Sequence, residues 1–157
     1  MPAQAALAQN QTLFGVRAAS RLMLDVIPAW TQELGLLIES IEAARPYGAS
    51  DHWHPGAVLR MPYSRKITYD GKSVSPQALM AFADAAAVFA CAAAWNGYRP
   101  TAAVDQTSHF FAPVRTDVLA DARVVRAGVT TCFCRVSILN AIDRKPVAMV
   151  AGAFAMA

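Results

Sequence analysis

The first part of the chain alternates between apolar segments and segments rich in proline and glycine. From Ala18 to about Leu34, apolar residues recur near helical spacing, which predicts a short amphipathic helix that ends or kinks at Pro28. The preceding residues, 1–17, begin polar and rich in alanine and glutamine, and we predict that they form a loose arm. GLLIESIEA predicts a strand, RPYGASDHWHPG a loop, and the segment that starts at Ala57 a second strand.

The segment from Ser75 to Gly97 has the strongest helix signals in the chain. Ser75 suits an N-cap, Pro76 suits the first turn and Gly97 suits the exit, so we predict one long helix. Asp84 is the only charged residue in this segment, and the helix must therefore be covered by protein on most sides. A membrane span is disfavoured, because the apolar stretches on either side of Asp84 are too short to cross a bilayer.

Beyond Pro100 the chain has the character of strands separated by turns, which together predict a meander. The last strand is apolar on both faces, which fits a position buried on both sides, such as a dimer seam. One long helix and a curled antiparallel sheet make an α+β fold, and residues 1–157 are predicted to form a single domain. The strand VTTCFCRVSIL alternates, which predicts a half-buried strand with Thr131, Phe133, Arg135 and Ser137 on one face and four apolar residues on the other: Cys132, Cys134, Val136 and Ile138.

Composition adds limits on partners and compartment. The chain is 55% hydrophobic and 16% charged. This composition gives more apolar surface than one small domain normally buries, so we predict that the chain associates with further copies. A net charge of +3 without a run of Lys or Arg gives no nucleic-acid footprint. Three cysteines within apolar stretches and a first dozen residues without a secretory pattern predict a reducing, cytoplasmic location.

Four segments between about Ile27 and Ala157 carry a family resemblance by their order and spacing: IPAWTQELGLLIESIE, ALMAFADAAAVFA, AVDQTSHFFAPVR and DARVVRAGVTTCFCRVSI. They resemble the hotdog-fold acyl-CoA thioesterases of the phenylacetate-pathway (PaaI-like) type. The resemblance implies a long central helix wrapped by a curved antiparallel sheet, with an additional N-terminal helix. It also implies that subunits join their sheets side by side, as a homodimer or a homotetramer, with sites between subunits.

The resemblance also implies a role for the acid on the central helix. In the family this acid is the nucleophile or general base that acts on a thioester carbonyl, and a backbone N–H at the helix start polarises the carbonyl oxygen. By position the acid is Asp84, and a carboxylate on an apolar helix is expected to have a raised pKa. A purely structural Asp84, bonded to a backbone N–H or an arginine, is the alternative.

The chain departs from the family pattern where the helix begins. Ser75, Pro76 and Gln77 stand in place of His-Gly-Gly, and Pro76 has no N–H to give to an oxyanion. Val88 stands where many members carry Ser or Thr, and Tyr69 stands near the position of an Asn or Gln that contacts substrate. Either Gln77, Ser75 or Tyr69 replaces the lost donors, or catalysis has been abandoned.

Further candidate contacts lie in the C-terminal half. Arg115, Arg126 and Arg123 are candidates for the phosphates of CoA, because arginine suits bidentate phosphate recognition, although each can also belong to an ordinary solvated face. By position in the family, the candidates for the substrate pocket are Tyr69, Pro76, Val88, His109, Phe110 and the hairpin glycine, Gly128.

The segment DHWH contains a pair of histidines, His52 and His54, but lacks a third ligand nearby, so no metal site is expected.

The leading hypothesis from the sequence is hydrolysis of an acyl-CoA thioester by Asp84, with Gln77 or Ser75 polarising the carbonyl and no metal or redox cofactor. The second hypothesis is a non-catalytic module that binds acyl-CoA or another apolar ligand, because Pro76 removes the usual donor. A dehydratase of the same fold is third, and only His109 can supply the histidine that such chemistry needs.

Overall fold

A six-stranded antiparallel sheet wraps one long helix in the computed structural model, which describes residues 12–157. Within residues 12–157, two short helices precede the sheet, and a 3-10 turn (Arg65–Ile67) lies before the long helix. The elements in chain order are α1 (Val16–Val26), α2 (Ala29–Gln32), β1 (Leu37–Glu42), β2 (Gly56–Met61), α3 (Pro76–Ala94), β3 (Thr101–Phe110), β4 (Val118–Ala127), β5 (Thr131–Asn140) and β6 (Pro146–Met156).

The N-terminal helix is interrupted at the predicted position. Helix α1 ends before an extended Ile27, and α2 follows directly after Pro28, whose ring and missing N–H prevent one continuous helix. Residues 1–11 of the predicted arm lie outside the described residues. The last two residues of that arm, Val16 and Arg17, are instead the first residues of α1.

Helix α3 begins and ends where its signals predicted. The Ser75 hydroxyl accepts a hydrogen bond from the Ala78 N–H at 3.3 Å, and Pro76 takes the first helical position. At the exit, Asn96 is left-handed with φ 52°, and the Gly97 N–H donates to the Ala92 carbonyl at 2.8 Å. This is a Schellman arrangement, so the exit combines an asparagine at C′ with the predicted glycine.

By length and apolar character, α3 is the one helix in the described part of the chain that could cross a membrane. Within the fold, 67% of that window is buried. The sheet covers these side chains, among them the fully buried Phe82 and Phe89. Helix α3 is therefore apolar because it is a core helix whose side chains the sheet covers.

The strand order in the sheet is β1-β2-β4-β5-β6-β3. Strands β4, β5 and β6 form the predicted meander, but β3 pairs with β6 and not with β4. The last strand therefore lies inside the sheet, between β5 and β3, and not at its free edge. Its place at a subunit seam stays a prediction. The strand with a free edge on that side is β3, most of whose side chains are exposed.

The alternating face of β5 is confirmed. Cys132, Cys134, Val136 and Ile138 are all buried against the helix side of the sheet. The Sγ atoms of Cys91 and Cys134 lie 3.5 Å apart, and all three cysteines are free thiols. They behave as small apolar side chains of the core.

Gly56, the first residue of β2, allows the close approach of β4. A Cβ atom at this position would overlap the carbonyl oxygen of Ala122. We expect Gly56→Ala to lower the free energy of unfolding by about 3 kcal/mol, because the ladder between the two strands must shift. Thermal unfolding measures this, with Gly128→Ala as the matched control, whose nearest atom would be 3.5 Å away. Equal losses in the two variants would contradict the packing account.

Candidate functional site

Helix α3 has one face that the sheet does not cover. Gln77 and Met80 on this face are exposed, and Asp84 and Val88 are half-buried, at spacings of three, four and four residues. We call these four residues the open face of α3. Gln77 and Asp84, which are seven residues apart, therefore lie on one side of the helix, and Val88 lies one turn beyond the acid.

Among the described residues, the carboxylate of Asp84 has one hydrogen-bond partner, which the sequence did not reveal. The Gln106 Nε2 atom on β3 donates to Asp84 Oδ1 at 2.7 Å. Burial raises the pKa of Asp84 above its ordinary value, and the hydrogen bond from Gln106 opposes this rise by favouring the ionised form. No hydrogen bond from residues 12–157 reaches Oδ2, so this oxygen is available to a water or a substrate.

A small cavity of about 80 Å³ adjoins Asp84. Residues of the N-terminal helices form its other walls, and its volume is sufficient for a few water molecules. Trp30 on this wall is 63% exposed, so its ring forms part of the surface around the acid. The lining residues contributed by the N-terminal segment, which the sequence did not assign to the site, are Ile27, Pro28, Trp30 and Thr31.

The start of α3 offers one free backbone donor. The Ser75 hydroxyl caps the helix and the Ser75 N–H donates to the Ile67 carbonyl at 2.8 Å, while Pro76 has no N–H. The Gln77 N–H, in contrast, has no acceptor among residues 12–157, as is typical of a first-turn N–H. Of the predicted donors, Ser75 is thus engaged in capping, and Gln77 is available through its backbone as well as its exposed side chain.

A second cavity, of about 260 Å³, lies beside the start of α3. The structure brings three predicted substrate residues together in its lining, namely Tyr69, Pro76 and Phe110. Arg115 is exposed next to this lining, with its Nε atom 3.4 Å from the Ser73 hydroxyl. An apolar cavity with an arginine at its rim suits an apolar group that is attached to a charged one.

Two predicted contacts lie at the other end of α3. The Gly128 carbonyl accepts from the indole N–H of Trp95, the residue after the helix, at 3.0 Å. Arg126 precedes this hairpin and is exposed. Because the 19 residues of α3 span about 28 Å, Arg126 and Gly128 cannot share one small site with Tyr69 in the same chain.

Two further candidates are placed away from the site. Arg123 forms ion pairs with Glu42 and Asp121 and donates to the His54 carbonyl, so it holds the sheet and the loop together and is not free for a phosphate. His109 is exposed on β3, three residues from Gln106, and alternation turns it to the opposite face of the sheet from Asp84. No acid–histidine pair for a dehydratase therefore forms around Asp84 within residues 12–157.

Comparison with known proteins shows what a chain with this geometry is similar to. Residues 78–147, which include Asp84, Val88 and Gln106, match the family model of the thioesterase superfamily. Over these residues, which are less than half of its length, the chain is similar to the thioesterase superfamily. A comparison with curated proteins finds no match.

Several solved structures share this fold. The PaaI protein of the phenylacetic acid degradation operon of E. coli has a TM-score of 0.72 and 22% identity, over 90% of this chain and 93% of that one. A protein of Pseudomonas aeruginosa has a TM-score of 0.73 and 21% identity, over 90% and 98%. Zebrafish thioesterase superfamily member 2 has a TM-score of 0.72 and 17% identity, over 92% and 99%. The predicted hotdog fold is confirmed.

Ionised Asp84 is expected to reduce the stability of the folded chain. Because burial raises its folded-state pKa, the carboxyl favours folding below the unfolded-state pKa, and this contribution is lost as the pH rises through the folded-state pKa. Asp84→Asn should therefore unfold at a higher temperature than the wild type at pH 7, and the difference should shrink towards pH 3. A change of 1 kcal/mol shifts the Tm by about 2–4 °C in a chain of this size. A lower Tm for the variant at pH 7 would contradict the unfavourable ionisation.

Proposed function

We propose that the protein hydrolyses an acyl thioester, with acyl-CoA as the substrate class, in a site formed by two copies of the chain. The observation that carries the proposal is the environment of Asp84. One carboxylate oxygen is fixed by Gln106, the other is free, and a cavity with room for water lies beside it. Fixed orientation together with a raised pKa is the combination that general bases use.

The reaction follows from this arrangement. Asp84 takes a proton from a water molecule while the water oxygen attacks the carbonyl carbon of the thioester, which gives a tetrahedral oxyanion. The oxyanion then collapses, the carbon–sulfur bond breaks, and the thiolate leaves with the proton that Asp84 had taken. The products are a carboxylic acid and a free thiol, and the carboxylate of Asp84 is regenerated.

The oxyanion needs a hydrogen-bond donor, and the Gln77 backbone N–H fits this role. It replaces the donor that Pro76 lacks, and it lies at the positive end of the α3 dipole, where negative charge is favoured. The hydroxyl of Ser75 is already the helix cap, so it is the weaker candidate.

Asp84 and the Gln77 N–H cannot act on one carbonyl group from the same chain. Seven residues of helix separate them by about 10 Å along the axis, and first-turn N–H groups point away from the helix body. The attacking oxygen must come within about 3–3.5 Å of the carbonyl carbon. The C=O bond is much shorter than the rest of the distance between Asp84 and the Gln77 N–H, so one carbonyl group cannot reach both. A complete site therefore needs Asp84 of one copy and the start of α3 of another.

The free edge of β3 and the open face of α3 are the surfaces that support such a pair. The unpaired backbone of an exposed edge strand is a template for a strand of a second copy. Val104 on this strand is 68% exposed, and Gln106 of the same strand contacts Asp84. A two-fold pair joined through β3 would bring the start of one α3 helix towards the middle of the other.

We assign the apolar part of an acyl-CoA substrate to the cavity at the start of α3 that Tyr69, Pro76 and Phe110 line. Arg115 at its rim has no ion-pair partner among residues 12–157 and is our candidate contact for a phosphate. Arg126, at the other end of α3, is assigned to the neighbouring site of the pair.

The second candidate function is a non-catalytic module that binds acyl-CoA. Pro76 favours it, because the family donor is absent. Release of free thiol from short, long and aromatic acyl-CoAs separates the two functions. Hydrolysis predicts turnover for at least one ester, whereas the binding module predicts a concentration-dependent rise in Tm without thiol release. If no ester is cleaved and none raises the Tm, both functions are contradicted.

Gln106 is expected to set the pH dependence of this reaction. Gln106→Leu removes the hydrogen bond that favours ionised Asp84, so the pKa of the acid should rise further and the acid limb of kcat/KM should move to higher pH. The rate profile from pH 4 to 9 measures the shift. Ser108→Ala, at the next inward position of β3, is the control. An unmoved acid limb in Gln106→Leu would show that Asp84 does not titrate in the reaction.

A further inference from the structure

The cavity beside Asp84 has a second polar side chain in its wall, which the reaction above does not use. Thr31 of α2 lines the same cavity of about 80 Å³ and is only 4% exposed. Its backbone N–H donates to the Pro28 carbonyl at 2.9 Å, but no residue among 12–157 forms a hydrogen bond with its hydroxyl group. A buried hydroxyl without a partner is unfavourable, so it indicates a bound molecule that completes the hydrogen bonding.

The Thr31 hydroxyl is open to this cavity. Within residues 12–157, every side-chain oxygen or nitrogen atom that is wholly buried has a hydrogen-bond partner. Because the Thr31 Oγ1 atom has none, it is not wholly buried, and the cavity is the space that Thr31 lines. The other lining side chains, apart from Asp84 and the mostly exposed Trp30, are apolar: Ile27, Pro28, Ala81 and Ala85. A polar molecule in the cavity therefore meets Asp84 on the α3 wall and Thr31 on the α2 wall.

The size of the cavity suits a water molecule. A water with one hydrogen bond to each of two groups spans roughly 5.5 Å, and a round cavity of about 80 Å³ is roughly 5 Å across. A buried water is held in place by roughly two to four polar partners. The free Oδ2 atom of Asp84 and the Oγ1 atom of Thr31 supply two of them.

We propose that Thr31 is a further catalytic residue, whose hydroxyl group holds the attacking water together with Asp84 of the same chain. This role rests on the proposed hydrolysis of a thioester. One O–H of the water donates to Asp84 Oδ2 and the other donates to Thr31 Oγ1. The lone pairs of the water oxygen then remain free for the carbonyl carbon of the thioester.

The Thr31 hydroxyl orients the water and exchanges no proton with it. As the water oxygen bonds to the carbonyl carbon, the proton shared with Asp84 passes to the carboxylate, and the proton shared with Thr31 stays on the attacking oxygen. Collapse of the tetrahedral oxyanion breaks the carbon–sulfur bond. The proton on Asp84 passes to the leaving thiolate, so the products are a carboxylic acid and a thiol.

Short-range contacts fix the position of Thr31. Helix α2 starts directly after Pro28, whose φ is −54°, and the side-chain amide of Gln32 donates to the Ile27 carbonyl at 2.7 Å. A group that orients a reacting water must itself be held in one place, because small misplacements of reacting atoms cost rate. The short helix α2 therefore provides a rigid support for the hydroxyl.

The open face of α3 has no hydroxyl group for this role. Met80 and Val88 have apolar side chains, and the Gln106 amide next to the acid is already bonded to Oδ1 of Asp84. The α2 segment is therefore the part of the chain that completes the water site.

Removal of the hydroxyl tests this role. Thr31→Val keeps the branched shape, so kcat for the best acyl-CoA should fall about tenfold, the effect of one neutral hydrogen bond, with KM little changed. Its Tm should equal or exceed that of the wild type, because a methyl group replaces a buried hydroxyl that has no protein partner. Thr31→Ser keeps the hydroxyl and should retain kcat within about threefold. Thr130→Val, at an exposed threonine in the β4–β5 turn, is the control and should keep the wild-type kcat.

A high-resolution crystal structure tests the water site without any turnover. In the wild type, one water should bond to both Asp84 Oδ2 and Thr31 Oγ1, and it should be absent from Thr31→Val. A wild-type cavity without this water would overturn the proposal. So would an unchanged kcat in Thr31→Val, or an equal loss of kcat in Thr31→Val and Thr31→Ser. A wild type that holds this water but cleaves no ester would contradict the proposed hydrolysis, and with it the catalytic role, while the water site itself would stand.

Discussion

Asp84→Asn is expected to lower kcat for acyl-CoA hydrolysis by about 10²–10⁴-fold, the usual contribution of a positioned general base. Asparagine has the shape of aspartate, and its carbonyl oxygen can still accept the hydrogen bond from Gln106, so the local geometry should persist. What is lost is the capacity to take a proton from water. The effect should therefore appear in kcat, with KM little changed.

Release of thiol from the best acyl-CoA of the panel measures this loss. Asp143→Asn, an exposed acid in the turn between β5 and β6, provides a matched control and should keep wild-type turnover. Turnover of Asp84→Asn within threefold of the wild type would remove Asp84 from the mechanism and leave it as a structural partner of Gln106.

The second large effect is expected from Gln77→Pro, which removes the only free N–H of the first turn of α3 within the described residues. Loss of one oxyanion donor costs about 10²–10³-fold in kcat in enzymes where it has been tested. Proline is accepted in the first helical turn, because no intrahelical hydrogen bond is broken there.

Gln77→Ala separates the backbone from the side chain. It keeps the N–H and removes the amide, so we expect kcat within a few-fold of the wild type. If Gln77→Ala is as inactive as Gln77→Pro while both retain the wild-type Tm, the side chain and not the backbone polarises the carbonyl. That result would support the donor role that the sequence first suggested for the Gln77 amide.

Local signals were enough to predict the helices and strands. The limits of α3 depend on a capping serine, a first-turn proline and an exit glycine, and all three act within one or two turns of chain. The half-buried face of β5 follows from a period of two that is visible in the residues themselves. The open face of α3 was not predicted, because its residues Met80 and Val88 are as apolar as those of the covered faces.

Long-range contacts could not be predicted from the same signals. The apolar composition of β6 fits any covered position in the sheet. It did not reveal that β3 pairs with β6 and forms the free edge of the sheet. Gln106 lies between Asp105 and Thr107, and three polar residues in a row do not show which one faces the helix. Ser75 was predicted both as a cap and as a donor, and only the Oγ contact with the Ala78 N–H distinguishes these uses.

The most direct test of a thioesterase site shared by two chains is complementation between the two inactive variants. In a mixed pair of Asp84→Asn and Gln77→Pro chains, one site combines the intact Asp84 with the intact Gln77, and the other site carries both defects. After equal amounts are unfolded and refolded together, half of the pairs are mixed, so about a quarter of the wild-type thiol release should return. Activity that stays at the level of the separate variants, with mixed pairs present by mass spectrometry, would contradict the shared site.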